Sequence, residues 1–212
     1  MDTESPPCRG YHEAFYYARL WDQVTWMGRK CLKHPVDLWM YQELLCRVRP
    51  DFIVECGTAH GGTALYLADV CNAIGRGTVV SIDNAPQPDL PTHDRLRTIT
   101  ASSVDPATCD LVRGMIGDGT ALVILDSLHT REHVLAELAV WSPVVSVGSY
   151  LIVEDTNING HPVYTDWDVE RGPGPYEAVR EFLAASPRFS VDASCEKYLV
   201  TFNPGGFLRR DS

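Results

Sequence analysis

The chain has 212 residues and a formal net charge of −10, with 45% hydrophobic and 22% charged residues. This composition excludes a disordered or fibrous protein, and the length suffices to bury a core without disulfides or a structural metal. Basic residues are scattered, the closest run being Arg209-Arg210, so the basic footprint of a nucleic-acid binder is missing.

Residues 1–9 lack the basic-then-apolar layout of a signal peptide, and no apolar run reaches membrane-spanning length. A cytoplasmic protein that uses neither membrane nor nucleic acid is therefore expected. Residues 11–49 read as helical. Tyr16, Leu20 and Val24, then Leu38, Tyr41, Leu44, Leu45 and Val48, recur near helical spacing. Pro35 suits the start of the second helix and Pro50 ends it.

From residue 51 the pattern alternates. Residues 51–56 form a short apolar run closed by Gly57, a buried strand, and 62–71 a helix of small residues. Residues 78–83 and 96–100 predict two more strands, 105–115 a helix begun by Asp105-Pro106, 121–126 a fourth strand, 130–141 a helix and 150–155 a fifth strand. Strands alternating with helices predict an α/β fold, a doubly wound and mostly parallel sheet. After a helix over 176–185, the runs 189–192 and 198–202 predict a C-terminal antiparallel hairpin at one sheet edge. The Pro/Gly-rich stretch 156–175, with Tyr164 and Trp167, predicts a functional loop. The seven cysteines show no CxxC spacing, which predicts buried, reduced thiols.

Two groups of residues carry chemistry. Glu55, Gly57, Thr58, Gly61 and Gly62 surround the first strand-to-helix turn, where doubly wound sheets bind ligands. The glycine spacing is wrong for a dinucleotide pyrophosphate. With Asp83 ending the second strand, it suits a nucleoside whose ribose hydroxyls a carboxylate can accept. The second group is Asp126, closing the fourth strand, with Glu154 and Asp155 closing the fifth. If those strands are neighbours, three carboxylates converge about one interstrand spacing, ~5 Å, apart. Such a cluster repels itself unless a cation or protons compensate, and hard oxygen donors suit Mg2+, with Mn2+ as substitute. Alternatively these carboxylates cap helices or face water, with Asp126 touching only the cofactor. His129 is either a general base beside such a cation or a cap and packing residue; His133 fits the packing role. No zinc spacing is present among the histidines.

The stretches Trp26-Met27-Gly28-Arg29, Lys33 to Asp37, Glu55 to Gly62, Ser81-Ile82-Asp83, Asp126 to His129, Glu154-Asp155 and Asn203 to Gly206, in that order, resemble the cephalosporin hydroxylase-like family. Its members include sugar O-methyltransferases of macrolide and rhamnosyl-lipid pathways. The resemblance implies a Rossmann-like class I methyltransferase, with S-adenosylmethionine on the 55–62 loop and Asp126, Asp83 on the ribose, and Ser102 and Ser103 near the adenine. It implies Mg2+ on Asp126, Glu154 and Asp155, His129 as the base, and a hydroxyl of a glycosylated natural product as the acceptor. Ala101 stands where the family often has glycine. The expected organisation is an N-terminal helical segment, 1–50, on the substrate side of a methyltransferase domain, 51–212; homo-oligomerisation stays open. A hydroxylase-type oxidoreductase loses on the glycine spacing and on the absence of an iron-binding pattern. A non-catalytic cofactor binder on the same fold would be favoured by a broken carboxylate cluster, which is intact here.

Overall fold

The computed structural model describes residues 5–164 and 172–212. Among these, α1 (Pro6–Tyr17) ends sooner than the helical spacing of Tyr16, Leu20 and Val24 suggests. Arg19 takes a left-handed backbone, and a 3₁₀ turn leads into a small hairpin, β1 (Thr25–Trp26) and β2 (Arg29–Lys30). Met27 and Gly28, with φ of 47° and 81°, make its two-residue turn, and positive φ at both central positions fits the twist of paired strands. Helix α2 (Pro35–Val48) starts with proline in its first turn, behind His34, whose ring accepts the Val36 amide.

The alternating part follows as β3 (Phe52–Cys56), α3 (Gly62–Ala73), β4 (Thr78–Asp83), β5 (Leu96–Thr100), α4 (Pro106–Ile116), β6 (Ala121–Leu125), α5 (Arg131–Trp141) and β7 (Tyr150–Val153). Then come α6 (Pro175–Ala185), β8 (Phe189–Val191) and β9 (Phe207–Arg210). The seven-stranded sheet has the order β5-β4-β3-β6-β7-β9-β8, with β3 to β7 mutually parallel and β9 antiparallel to both its neighbours. The predicted doubly wound sheet with antiparallel C-terminal strands is thus present.

Successive strand residues face opposite sides, so a strand covered on both faces must be apolar throughout. Ile53, Leu122, Ile124 and Ile152 pack with Leu44, Leu45 and Leu67 of α2 and α3. Val54, Val123, Leu125 and Val153 pack on the other face with Val112, Leu138 and Trp141 of α4 and α5. A third cluster ties α1 to the segment after β7 through Phe15, Tyr16, Ile158, Val163 and Phe202.

The last strand corrects the sequence expectation. Residues 198–202 are not a strand; the edge pair is β8 with β9. Asp37, buried in α2, accepts bonds from the Thr201 hydroxyl at 2.5 Å and the Phe202 amide at 2.9 Å. That capture delivers Phe202 to the α1 cluster and leaves Phe207 and Leu208 to complete the sheet. Trp167 lies outside the described residues. Among the described residues, no helix is long and apolar enough to cross a membrane.

Candidate active site

Strand order reverses between β3 and β6, so the loops leaving them diverge and open a crevice at their carboxyl ends. Gly57 lies at its floor with φ of 103°, and a Cβ there would stand 1.8 Å from the Asp126 carbonyl oxygen. Only glycine lets the two loops pass this closely.

Two cavities meet over Gly57, Ala59, Asp126 and Ser127. The larger, about 440 Å³, runs along the ends of β4 and β5 beside Asp83, Ser102, Ser103 and His133. The smaller, about 190 Å³, is bounded by Thr58, His129 and Asp155 on one side. Tyr16, Trp21 and Leu32 of the N-terminal segment, with Phe202, form its other side.

Asp83 organises the crevice. Its Oδ2 accepts the Thr58 and Ala59 amides, both at 2.9 Å, and its Oδ1 accepts the Ala85 amide at 2.8 Å. The carboxylate thereby pins the turn after β3 against β4, and Oδ1, with a single amide donor, keeps a lone pair for a ligand hydroxyl.

The parallel register pairs Leu125 with Val153, which brings Asp126 level with Glu154 at the next step. Leu125 and Val153 face α4 and α5, so Asp126 and Glu154 turn to the opposite side, toward α2. Asp155 then leaves the strand with φ of 54°, its amide donating to Asn203 Oδ1 at 3.0 Å. That left-handed step re-aims its side chain at the crevice. The expected convergence therefore splits by depth. Asp126, His129 and Asp155 each offer a ligand atom, all within 4.8 Å of one another. Glu154 is buried behind them, where Tyr41 donates to its Oε1 and Lys33 Nζ approaches that oxygen at 3.3 Å. Its Oε2 has no hydrogen-bond partner among the described residues.

His129 Nδ1 stands 3.0 Å from Asp155 Oδ2, and Nε2 is 3.9 Å from Asp126 Oδ1. Thr130, not His129, is the N-cap residue of α5, so the cap role is unfilled by the imidazole. Burial opposes the imidazolium, but Asp155 and then Asp126 outweigh it and push its pKa up to about 9. Burial raises the Glu154 and Asp126 carboxyls, with Lys33 pulling both back. Burial would also raise Asp155, but His129 holds it below the usual range. Lys33, itself buried, keeps its proton against desolvation because Asp126, Glu154 and Asp155 surround it.

The remaining expected residues fall elsewhere. Glu55 lies beneath the turn, its Oε2 accepting from Ser81. Gly61 and Gly62 line neither cavity; a Cβ on Gly62 would meet the Lys30 carbonyl oxygen at 2.0 Å, so this glycine lets the β1-β2 hairpin close on α3. His133 lines the larger cavity, with Nε2 3.4 Å from Glu137 Oε1. Buried Glu137 accepts hydrogen bonds from Ser103 and Ser127 at 2.5 and 2.7 Å. Lys33, Tyr41, Ser127 and Glu137 were not singled out by the sequence reading. A lysine directly ahead of the α2 cap and a glutamate on the buried face of α5 were the available signals.

A doubly wound sheet with a carboxylate-pinned turn, a cleft along the strand ends and an acidic pocket beside it defines an α/β protein with a ligand site at its switch point. Residues 18–211 match the rhamnosyl O-methyltransferase/CmcI family. The chain is similar to a rhamnosyl O-methyltransferase of Mycobacterium tuberculosis (strain ATCC 25618 / H37Rv), 38% identical over 209 residues, 95% of this chain and 84% of that one. A rhamnosyl O-methyltransferase of Mycobacterium leprae (strain TN) is 38% identical over 213 residues, covering 94% and 89%. Among solved structures, a CmcI structure described with Mg and SAM superposes with a TM-score of 0.67 at 20% identity, over 90% of this chain and 78% of that one. A MycE methyltransferase from the mycinamycin biosynthetic pathway, in complex with Mg and SAH, gives a TM-score of 0.51 at 21% identity, covering 69% and 39%. The chain belongs to the rhamnosyl O-methyltransferase/CmcI family, and it is an O-methyltransferase of Rossmann-like fold.

Proposed function

We propose that the protein moves a methyl group from S-adenosylmethionine to a hydroxyl of a sugar on a small glycosylated acceptor, with a divalent cation, Mg2+ or Mn2+, at the acidic cluster. The observation that carries this reading is the meeting of Asp126, His129 and Asp155 within 4.8 Å where the two cavities join. The donor set fits a hard cation: carboxylate oxygens dominate, and Oε2 of buried Glu154 is an acceptor with no hydrogen-bond partner among the described residues. The curated relatives, named rhamnosyl O-methyltransferases, support a sugar as acceptor.

The roles follow the depth of each residue. Asp83 receives a ribose hydroxyl at Oδ1 while its Oδ2 holds the Thr58 and Ala59 amides in place. Ser102 and Ser103 edge the adenine end, and the open backbone at Gly57 admits the methionine end toward the smaller cavity. The N-terminal segment, through Tyr16 and Trp21, walls the acceptor there and excludes water. Asp126, Asp155 and Glu154 are the residues that would hold the cation. Bound there, it would polarise the acceptor hydroxyl and, by its charge, draw the nearby imidazolium pKa down. Asp155 fixes Nδ1 of His129, so Nε2 is the nitrogen turned to take the hydroxyl proton. Direct displacement needs the nucleophile, methyl carbon and sulfur in line, and the two cavities meeting over Gly57 set that line.

The same distances favour a second reading in which His129 ligates the cation and is not the base. A methyl-transfer assay tests the metal and the acceptor, with S-adenosylmethionine and a rhamnosylated acceptor read by mass spectrometry, in excess chelator and after Mg2+ is restored. A methylated sugar that forms only with metal supports the proposal; equal yield in chelator overturns the metal, and no product with any glycoside overturns the acceptor class.

A further inference from the structure

Lys33 ends the stretch after β2, one residue ahead of the α2 cap, and its side chain is 3% exposed. Its ammonium donates to Asp126 Oδ2 and lies 3.3 Å from Glu154 Oε1, so one cation spans the carboxylates that end neighbouring strands. Lys33 lines neither cavity. It reaches the acidic cluster from behind, while Asp155 and His129 close the front. A buried ammonium is expensive unless paired, and so is the buried Glu154 carboxylate without a countercharge. The arrangement removes both costs at once.

We propose that Lys33 is a positioning residue for the metal, a resident countercharge that holds Asp126 and Glu154 together before any dication arrives. It also limits how tightly the dication is held, by adding a like charge within a few ångströms. The proposal rests on the metal reading above. Lys33 touches neither acceptor nor cofactor cavity and acts through Asp126 and Glu154.

The experiment compares wild type, Lys33→Met, Lys33→Arg and the double variant Lys33→Met/Glu154→Gln. Thermal melts are recorded in chelator and in MgCl2, and MgCl2 is titrated by calorimetry without S-adenosylmethionine. Lys33→Met should melt lower than wild type in chelator, recover more in MgCl2, and bind Mg2+ about tenfold tighter or more, because the like charge of the lysine is gone. Lys33→Arg should track wild type. The double variant, which removes the stranded charge, should regain stability in chelator but not affinity for Mg2+. If Lys33→Met does not fold alone, the double variant still decides: one that also fails to fold, or melts no higher than Lys33→Met, overturns the countercharge role. Equal melting of wild type and Lys33→Met in chelator, or an equal magnesium response, overturns it too. A flat Mg2+ titration of wild type would instead sink the metal reading, while the chelator comparison still stands for Lys33.

Discussion

Tyr41 offers a direct measure of how the chain holds Glu154 in place. Its ring is 1% exposed in α2. The hydroxyl donates to Glu154 Oε1 and accepts from Asn203 Nδ2 at 3.0 Å. Tyr41→Phe deletes one oxygen and leaves the ring to pack as before. The loss has two parts: a hydrogen bond to a charged acceptor, worth about 1.5–3 kcal/mol, and a buried amide donor left without its acceptor, about 1–3 kcal/mol. The two share one network, so they add incompletely, and a net loss of about 2–4 kcal/mol is expected. For a chain of this size each kcal/mol moves Tm by about 2–4 °C, giving a fall of about 4–16 °C. Tyr66→Phe is the control. Its hydroxyl donates to the Leu38 carbonyl, a neutral acceptor in the same layer, where about 0.5–1.5 kcal/mol is at stake. Scanning calorimetry in chelator on both variants checks the reasoning. Equal losses, or a Tyr41→Phe protein that melts with wild type, would show that Glu154 does not depend on this bond.

Asp83→Ala should weaken S-adenosylhomocysteine binding by about 1.5–3 kcal/mol in calorimetry, since it removes a charged acceptor at the ribose position; unchanged affinity would take Asp83 out of the site. His129→Ala should lower turnover by about 10²–10⁴-fold. Retained Mg2+ affinity in that variant marks a base, and lost affinity marks a ligand. Burial, partly offset by the Ser81 bond, pushes the Glu55 carboxyl up to about 8 from 4.5. The folded chain therefore holds a proton that the unfolded chain has released across that window, so this group costs stability as pH rises from about 4.5 to 8 and costs nothing below it. Glu55→Gln keeps the shape without the charge, and its Tm relative to wild type should climb between pH 5 and pH 8; a difference that ignores pH would mean Glu55 is ionised in the fold.

Much of the fold was legible because burial on both faces leaves a strand no polar positions, and Gly57, Asp83 and Asp126 punctuate the runs where chains turn. What escaped was decided by distant partners. Val200 and Phe202 look as strand-like as Phe207 and Leu208. The choice between them is made by Asp37, 164 residues before Thr201, whose buried carboxylate takes the segment out of the sheet. The end of α1 escaped for a local reason, since periodicity carries no trace of the left-handed turn at Arg19.

The site divides in the same way. Carboxylates at the ends of parallel strands could be placed because topology alone assembles those ends, and Asp126 and Glu154 do lie level. Depth could not be read. Two adjacent acidic residues, Glu154 and Asp155, alternate in a strand, and extended backbone would have sent Asp155 toward the α4 and α5 side. The positive φ at Asp155, supported by Asn203, returns it to the crevice while Glu154 stays under cover with Tyr41 and Lys33. A non-glycine residue holds that conformation only where its surroundings over-determine it, and such strain gathers at working sites. The bond from the Asp155 amide to Asn203 is therefore what divides an acidic pair into one residue facing the cavity and one set deeper, against Tyr41 and Lys33.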